Sequence, residues 1–286
     1  MSHVGFVGLG TMGAPMAGHL LRSGVELGVW SRTPGKAAAL VQQGARSFDS
    51  PEALAEGASA IIICINRTED VREVVSNVGK RLPTGALVVD HSTISPAAAA
   101  EMAEQLRIQG INFVDAPITG GSMGAQRGQL TIFMGGTEAG CHRAVEMVKP
   151  YTKRADRVGG PGAGQMAKMA NQIAVAGSLL GLCECLSFAE KAGLDISQMK
   201  EMIGGGAAGS WAFENYGPKI LAGDWSPGFS VKNQRKDFGY CREAAEQIGA
   251  SIPGTILVDS LLELLQEKGR GEETTAALFE VLSGTA

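Results

Sequence analysis

The first 158 residues alternate between short β-rich runs and stretches of helical periodicity, and this alternation limits the fold more than any other feature of the sequence. A helical stretch between two strands is typical of a βαβ crossover, which joins parallel neighbours. The run from Ile61 to Ile65 is apolar throughout apart from Cys64, which indicates a strand buried on both faces. Strands are predicted at residues 4–7, 26–30, 59–65, 86–90, 111–115 and 130–134. The pattern predicts an α/β domain built on a doubly wound parallel sheet.

The second half of the chain has a different character. A cluster of glycines with one proline at residues 159–164 is followed by almost no strand signal. Helices are predicted at residues 165–191, 195–202, 232–248, 252–268 and 274–282. We therefore predict two domains, an α/β domain at 1–161 and an all-helical domain at 162–286, joined by a long interdomain helix. This helix is apolar nearly all round from Ile173 to Ala189, so we expect it to be covered on several sides and favour a homo-oligomer.

Composition and charge exclude several classes of partner. Lysine plus arginine number 25 and aspartate plus glutamate 29, so the net charge is 25 − 29 = −4. This balance predicts neither a nucleic-acid surface nor a membrane surface and favours small ligands. The longest nearly uncharged run, 173–183, is shorter than the roughly 20 residues that span a bilayer.

The termini and the cysteines indicate the compartment. The chain starts at Met1 without a basic n-region, so no export signal is predicted. Five cysteines are an odd number and form no CxxC pair, which favours reduced thiols over disulfides or zinc. We expect a cytoplasmic protein without a metal site.

A GxGxxG sequence directly follows the first predicted strand and opens a helix. In this position the first glycine permits a tight turn, the second lets the backbone approach a pyrophosphate, and the third lets the helix pack on the strand. The predicted cofactor contacts are Gly8, Leu9, Gly10, Thr11, Met12 and Gly13. The alternative is a glycine-rich turn without a ligand.

The end of the second strand indicates which cofactor binds. NAD enzymes usually place an acid there for the ribose 2′-hydroxyl, whereas this chain has Ser31, Arg32 and Thr33. A guanidinium can pair with a 2′-phosphate, so the sequence favours NADP, with NAD possible. The alternative is that Arg32 is an ordinary surface charge.

Two further stretches suit a substrate. Asp115 to Ser122 comes at the end of a predicted strand, and Gly120 and Gly121 after Thr119 allow successive N–H groups to point at a carboxylate; a plain connecting turn is the alternative. Lys168, Asn171 and Gln172 share one helix face.

Four other features each allow two interpretations. Alone, Lys168 would be a snorkelling surface lysine, but Lys236 is predicted near the same pocket, where a second cation lowers a lysine's pKa. His91 is a rival acid/base, although a histidine at a strand end is more often a packed residue. The glycines at 204–209 lack the Gly-Lys-Ser/Thr ending of a phosphate loop, which favours a flexible loop near the cleft. Trp211 and Phe213 either cap the substrate or pack at a subunit contact.

Taken together, the motifs resemble those of the β-hydroxyacid dehydrogenase family, along the whole chain. The matching segments are GLGTMGAPMA at 8–17, DHST at 90–93, DAPITGG at 115–121, GAGQMAKMANQ at 162–172 and KD at 236–237. The resemblance implies a Rossmann domain joined to a helical domain, with Lys168 as the catalytic lysine. It also implies cofactor contacts at Ile65, Thr93 and Lys236, and substrate contacts at Thr119, Gly120 and Gly121. One of the two amides Asn171 and Gln172 is expected to reach the substrate.

The expected reaction is hydride transfer between NADP(H) and a short β-hydroxyacid or its semialdehyde, with Lys168 as general acid and base. Family members commonly have Ser in place of Thr119 and Leu-Pro in place of Ile65-Asn66, which affects substrate choice. An imine reductase is a second interpretation, but that group usually carries Asp or Tyr at the position of Lys168. A non-catalytic NADP-binding sensor or scaffold is a third.

Overall fold

The computed structural model describes residues 3–285, and the chain divides into two compact units, Met1–Lys168 and Met169–Ala286. The division falls inside the long helix that the sequence placed between the two domains. Each unit is described by itself below.

Unit 1 is built on a nine-stranded sheet. Its strands are β1 (His3–Val7), β2 (Leu27–Trp30), β3 (Arg46–Ser47), β4 (Ala58–Ile63), β5 (Leu87–Asp90), β6 (Asn112–Asp115), β7 (Ile118–Thr119), β8 (Leu130–Gly135) and β9 (Thr152–Gly159). They lie in the order β3-β2-β1-β4-β5-β6-β8-β7, and β9 pairs with β8. The pairs from β3 to β6 are parallel, as expected, but β8 runs antiparallel to β6 and to β7. The sheet is therefore mixed at one side rather than parallel throughout.

The sheet buries apolar side chains on both faces. Phe6 and Ile62 belong to one core cluster, whereas Val7, Ile61 and Ile63 belong to another, as alternation along two neighbouring central strands requires. The helices of unit 1 are α1 (Gly13–Arg22), α2 (Ala38–Gln42), α3 (Pro51–Ala55), α4 (Thr68–Gly79), α5 (Pro96–Ile108), α6 (Gly121–Arg127), α7 (Glu138–Val148) and the start of α8 (Ala163–Lys191). The doubly wound fold is confirmed.

Unit 2 consists of helices. They are the rest of α8, α9 (Ile196–Gly204), α10 (Trp211–Asn215), α11 (Gly217–Ala222), α12 (Val231–Ile248), α13 (Pro253–Glu267) and α14 (Leu278–Ser283). Within residues 169–285 the only β pairing is a single bridge between Ser230 and Thr274. The predicted all-helical character is confirmed, with two short helices, α10 and α11, that the periodicity did not predict.

The long helix α8 is less covered than expected. Leu179, Leu182 and Leu186 are buried, but an opposite stripe that includes Gly177 and Gly181 is exposed. The expectation of cover on several sides is wrong for the single chain. By length and composition alone, α8 is also long and apolar enough to cross a membrane, because the helix extends well beyond the run at 173–183. Its buried face is the pattern of a core helix.

The glycine-rich segment at 204–209 is a hydrogen-bonded turn rather than an open loop. The N–H of Gly206 donates to Ile203 O and that of Gly209 donates to Gly206 O. The segment lines a cavity of unit 2 together with α8 residues, Gly177 and Gly181 among them, and with Phe213, which is buried. Phe213 thus packs inside unit 2, whereas Trp211 is half-exposed.

Candidate active site

The predicted cofactor contacts of unit 1 share one edge of the sheet. They follow the carboxyl ends of β1, β2, β4 and β5, which are parallel and adjacent. In an open α/β sheet, ligands bind in the crevice outside this edge. The strand order therefore brings the segments at 8–13, 31–33, 65 and 93 to one side of the molecule.

The glycine loop fits a dinucleotide. Gly8 has φ +96°, and a Cβ on it would lie 2.2 Å from the carbonyl oxygen of Cys64. A Cβ on Gly13 would lie 1.9 Å from the carbonyl oxygen of Gly8, so the start of α1 packs directly on the loop. Gly10, in contrast, has no heavy atom within 4 Å of its Cβ position. No side chain caps α1 and no acid lies in its first turn, which leaves the helix start suited to a pyrophosphate.

Arg32 follows β2 in an exposed loop. Its side chain is 77% exposed, and Nη1 lies 3.1 Å from Oδ1 of Asp70 in the first turn of α4. Ser31 Oγ accepts a hydrogen bond from the N–H of Thr33. The carboxylate that pairs with the guanidinium thus comes from α4, while the end of β2 itself carries hydroxyl and guanidinium groups.

His91 is a structural residue rather than an acid/base. Its Nδ1 donates to Ala116 O at 2.6 Å, because a carbonyl can only accept, and Nε2 then accepts from the Tyr151 hydroxyl at 2.8 Å. Burial lowers the pKa of His91 to about 4, although the bond to Ala116 opposes this shift. A neutral ring with both nitrogens occupied is a poor proton carrier near neutral pH, which agrees with the packed interpretation.

Asp115, at the end of β6, caps the start of α8. Its carboxylate accepts from the N–H groups of Gly162 at 2.8 Å and Gln165 at 2.9 Å. Burial raises the pKa of Asp115 to about 7, and the charge of Asp90 adds to the shift, while the two N–H donors oppose it. The sequence singled out the segment at 115–122 but not this cap. Its two hydrogen bonds join Asp115 to residues that lie 47 and 50 positions further along the chain.

Lys168 lies beside the predicted substrate segment. It is 7% exposed, and Nζ donates to the carbonyl oxygen of Ile118 at 2.8 Å. Thr119 is half-buried, and Gly120 and Gly121 have φ +125° and +65°, both in the region that favours glycine. The two glycines begin α6, which has no side-chain cap. Successive N–H groups in such a turn can hold an anion.

Gln165, three positions before Lys168 on α8, also belongs to this region, although the sequence did not single it out. It is fully buried, and its amide bonds to the backbone of Ser92 and Ile94. Its position on the same helix face as Lys168 is the signal that was available in the sequence. Ile65 is held nearby, since its N–H donates to Ser92 Oγ at 3.0 Å.

The remaining predicted residues belong to unit 2, where they form a polar chain. The Asn171 amide donates to Gln172 Oε1 at 2.9 Å, and Gln172 Nε2 donates to Asp237 Oδ2 at 2.7 Å. Lys236 Nζ lies 3.1 Å from the other oxygen of Asp237. The predicted influence of Lys236 on Lys168 stays a prediction. Among residues 3–285, no group of three His, Cys, Asp or Glu side chains could hold a metal ion.

A pyrophosphate loop in this fold serves a redox dinucleotide, and the buried amine of Lys168 is a proton donor or acceptor. The class that the fold and the site define is therefore a nicotinamide-dependent oxidoreductase. Two family models match the chain. Residues 3–160 match the NAD-binding domain of 6-phosphogluconate dehydrogenase, and residues 162–282 match the NAD-binding domain of NADP-dependent 3-hydroxyisobutyrate dehydrogenase.

Named relatives agree over almost the whole chain. A probable 3-hydroxyisobutyrate dehydrogenase-like protein of Arabidopsis thaliana is 38% identical over 98% of this chain and 84% of its own. The 2-hydroxy-3-oxopropionate reductase of Escherichia coli K12 is 34% identical over 98% of this chain and 96% of its own.

Solved structures agree as well. The crystal structure of 3-hydroxyisobutyrate dehydrogenase from Salmonella typhimurium has a TM-score of 0.90 at 29% identity, covering 98% of this chain and 100% of that one. Psf3 in complex with NADP+ and 2-OPP has a TM-score of 0.89 at 27% identity, with the same coverage. An imine reductase from Pseudomonas is more distant, with a TM-score of 0.64 at 24% identity, and shares the fold alone.

The chain belongs to the β-hydroxyacid dehydrogenase family, and it is an NAD(P)-dependent oxidoreductase acting on CH–OH groups. The predicted family, fold class and reaction type are confirmed. The assignment of individual site residues remains a prediction.

Proposed function

We propose that the protein transfers hydride reversibly between NADP(H) and a short β-hydroxyacid or its semialdehyde. The observation that carries the proposal is the hydrogen bond from Lys168 Nζ to Ile118 O, since it fixes the amine at the start of the segment that contains Gly120 and Gly121. A substrate whose carboxylate binds those glycines brings a hydroxyl or carbonyl oxygen on a nearby carbon towards Lys168. A β-hydroxyacid and its semialdehyde carry that oxygen two carbons from the carboxylate carbon.

Lys168 moves the proton in this scheme. Bound nicotinamide supplies or accepts the hydride. In reduction the ammonium of Lys168 donates a hydrogen bond and then a proton to the carbonyl oxygen, while the neutral amine takes the proton in oxidation. The bond to Ile118 O uses one of the three N–H groups and orients the others.

The test of Lys168 compares two substitutions. Lys168→Ala removes the proton carrier, and general acid–base catalysis is worth about 100- to 10,000-fold in kcat. Lys168→Arg keeps the charge but cannot lose its proton, so it is expected to lose oxidation as severely. Oxidation by the wild type is expected to slow as the pH falls and reduction to slow as the pH rises, whereas neither limb persists in Lys168→Ala. The exposed Lys80, whose Nζ donates to Asn77 Oδ1, provides the control Lys80→Ala. Full turnover by Lys168→Ala would refute the role.

Of the two adjacent amides Asn171 and Gln172 on α8, we assign substrate binding to Asn171. Gln172 is buried and spends its oxygen on Asn171 and its nitrogen on Asp237. Gln172 therefore serves to orient Asn171. Asn171→Ala is expected to raise KM for the substrate more than Gln172→Ala does.

A preference for NADP is supported by Arg32. The guanidinium is exposed at the end of β2, and Ser31 and Thr33 add hydroxyl donors beside it. Asp70 holds the guanidinium and competes with a 2′-phosphate. We therefore expect Arg32→Ala to weaken the binding of NADPH more than that of NADH. Asp70→Asn is expected to strengthen the binding of NADPH. Both affinities are measured by the fluorescence of the bound cofactor. Equal effects on both cofactors would refute the assignment.

One substrate panel separates the candidate functions. Succinic semialdehyde, tartronate semialdehyde, 3-hydroxyisobutyrate and a cyclic imine are each assayed with NADPH and NADH. Turnover of an aldehyde or hydroxyacid with NADPH supports the proposal, and turnover of the imine alone supports an imine reductase. Tight NADPH binding without turnover of any of them supports the non-catalytic sensor.

The exposed apolar surface of unit 2 supports a homo-oligomer. Phe188 of α8 is 75% exposed, Met202 of α9 65% and Trp211 51%, and a second copy would cover such a surface. Light scattering of the wild type and of Phe188→Lys tests this, since a monomeric wild type would refute it. The five free cysteines support a cytoplasmic location, which fractionation of the source cells tests.

A further inference from the structure

The side chain of Gln165 holds the backbone on both sides of Thr93. Its Nε2 donates to Ser92 O at 2.8 Å, and its Oε1 accepts from the N–H of Ile94 at 3.2 Å. The residue is completely buried, and its own N–H donates to Asp115. A planar amide that bonds through both ends fixes the position and the rotation of the segment it holds.

Gln165 and Lys168 lie three residues apart on α8, so their side chains project from the same face one turn apart. Lys168 carries the proton in the proposed function, and Thr93 follows the carboxyl end of β5, at the edge of the sheet outside which open α/β sheets bind their ligands. One turn of α8 thus carries Lys168 itself and, through the amide of Gln165, bonds the backbone on both sides of Thr93.

We propose that Gln165 is a positioning residue that sets the distance between Thr93 and Lys168. It thereby sets the distance between the group that transfers the hydride and the group that transfers the proton. This inference rests on the proposed function. Most of the predicted cofactor contacts lie elsewhere, in the segments at 8–13 and 31–33, so we expect the affinity for the cofactor to depend little on Gln165. The geometry predicts a loss of rate with little loss of binding.

The test uses Gln165→Met, which keeps the length and removes both bonds, and Gln165→Asn, which keeps both amide atoms but shortens their reach. A misplacement of about 1 Å costs about 100-fold in rate, and we expect kcat to fall by that order in both variants. The Kd for NADPH, measured by fluorescence titration, is expected to change little. With NADPH deuterated at C4, the isotope effect on kcat is expected to rise, because hydride transfer becomes rate-limiting.

A readout without turnover accompanies the kinetics. Amide hydrogen exchange of the unliganded protein is expected to show faster exchange at Ile94 in Gln165→Met, since its acceptor is gone. The control is Ser50→Ala, which removes the cap of α3 in the same unit and lies outside the site. It is expected to lower the unfolding midpoint and leave kcat and Ile94 exchange unchanged.

The outcomes are distinguishable. A wild type that turns over no panel substrate refutes the proposed function, whatever Gln165 does. An active wild type whose Gln165→Met variant keeps its kcat, and loses only stability as Ser50→Ala does, refutes the positioning role. If Gln165→Met does not fold, Gln165→Asn decides alone, and unchanged kcat with unchanged Ile94 exchange overturns the inference.

Discussion

The pH dependence of stability is the sharpest test of the buried His91. Burial depresses its pKa from 6.5 to about 4, so the folded state binds a proton less readily than the unfolded state. The stabilising contribution is therefore complete above pH 6.5 and is lost as the pH falls through 4. At about 1.36 kcal/mol per pKa unit, the loss is about 2 kcal/mol at pH 5 and about 3 kcal/mol at pH 4.

The perturbation is His91→Asn, whose amide nitrogen can still donate to Ala116 O but does not titrate. This variant is less stable than the wild type at neutral pH, because the Tyr151 hydroxyl loses its acceptor. The unfolding free energy of the wild type minus that of His91→Asn should fall by about 3 kcal/mol from pH 7.5 to pH 4, because only the wild type has this titrating group. Tyr151→Phe should keep the wild-type pH dependence, because burial rather than the tyrosine causes the shift.

The assay is urea unfolding followed by tryptophan fluorescence. Trp30 is the only one of the three tryptophans in Met1–Lys168, so a background with Trp211→Phe and Trp225→Phe reports on unit 1 alone. Asp115 has the opposite sign, since its pKa is raised to about 7 and its contribution is lost as the pH rises through that value. Comparing the two proteins at each pH removes it. Parallel curves for wild type and His91→Asn would refute the reasoning.

Three further predictions concern the site. Gly10→Ala should weaken NADPH binding without changing the unfolding free energy, because its Cβ meets nothing in the protein. Gly13→Ala should lower both the affinity for NADPH and the unfolding free energy, because its Cβ would lie 1.9 Å from Gly8 O. If the two variants showed the same affinity in NADPH titrations and the same unfolding free energy, the loop geometry would be contradicted. Asp115→Asn should lower the unfolding free energy by about 1–3 kcal/mol, since an amide hydrogen replaces an acceptor facing a backbone N–H, and an unchanged urea midpoint would exclude the cap. Thr119→Ser should lower KM for the bulkier members of the substrate panel, and an unchanged ranking of substrates would show that the methyl group does not narrow the pocket.

The elements that the sequence predicts well are those whose packing leaves a periodic pattern. β4 is buried on both faces, so its apolar run was unambiguous. β9 was missed because it is mostly exposed and carries Lys153, Arg154 and Arg157. It has no apolar alternation, and only its pairing with β8 makes it a strand. α10 and α11 are too short, at five and six residues, for a helical period to emerge.

The site divides in the same way. Local motifs located the glycine loop and Lys168, because a tight turn or a helix face is encoded within a few residues. The bond from Gln165 to Ser92 joins residues 73 apart, and the bond from His91 to Tyr151 joins residues 60 apart. Such contacts depend on which strands become neighbours, and strand order is not written in any short segment.

The segment from Asp115, the last residue of β6, to Gly121 contacts or contains several of the predicted site residues. Asp115 caps the start of α8, Ile118 O accepts a hydrogen bond from the amine of Lys168, and Gly120 and Gly121, two and three residues later, form the predicted carboxylate nest. The proton carrier and the substrate anchor are thus held by the same seven residues. A shift of this segment moves both groups together, which preserves their separation. The segment at Thr93 follows the neighbouring strand β5, and it is joined to residues 115–116 by the pairing of Asp90 with Asp115 and by the bond from His91 to Ala116 O. The Gln165 side chain adds a direct tie between α8 and the backbone on both sides of Thr93, so one helix start is bonded to both segments.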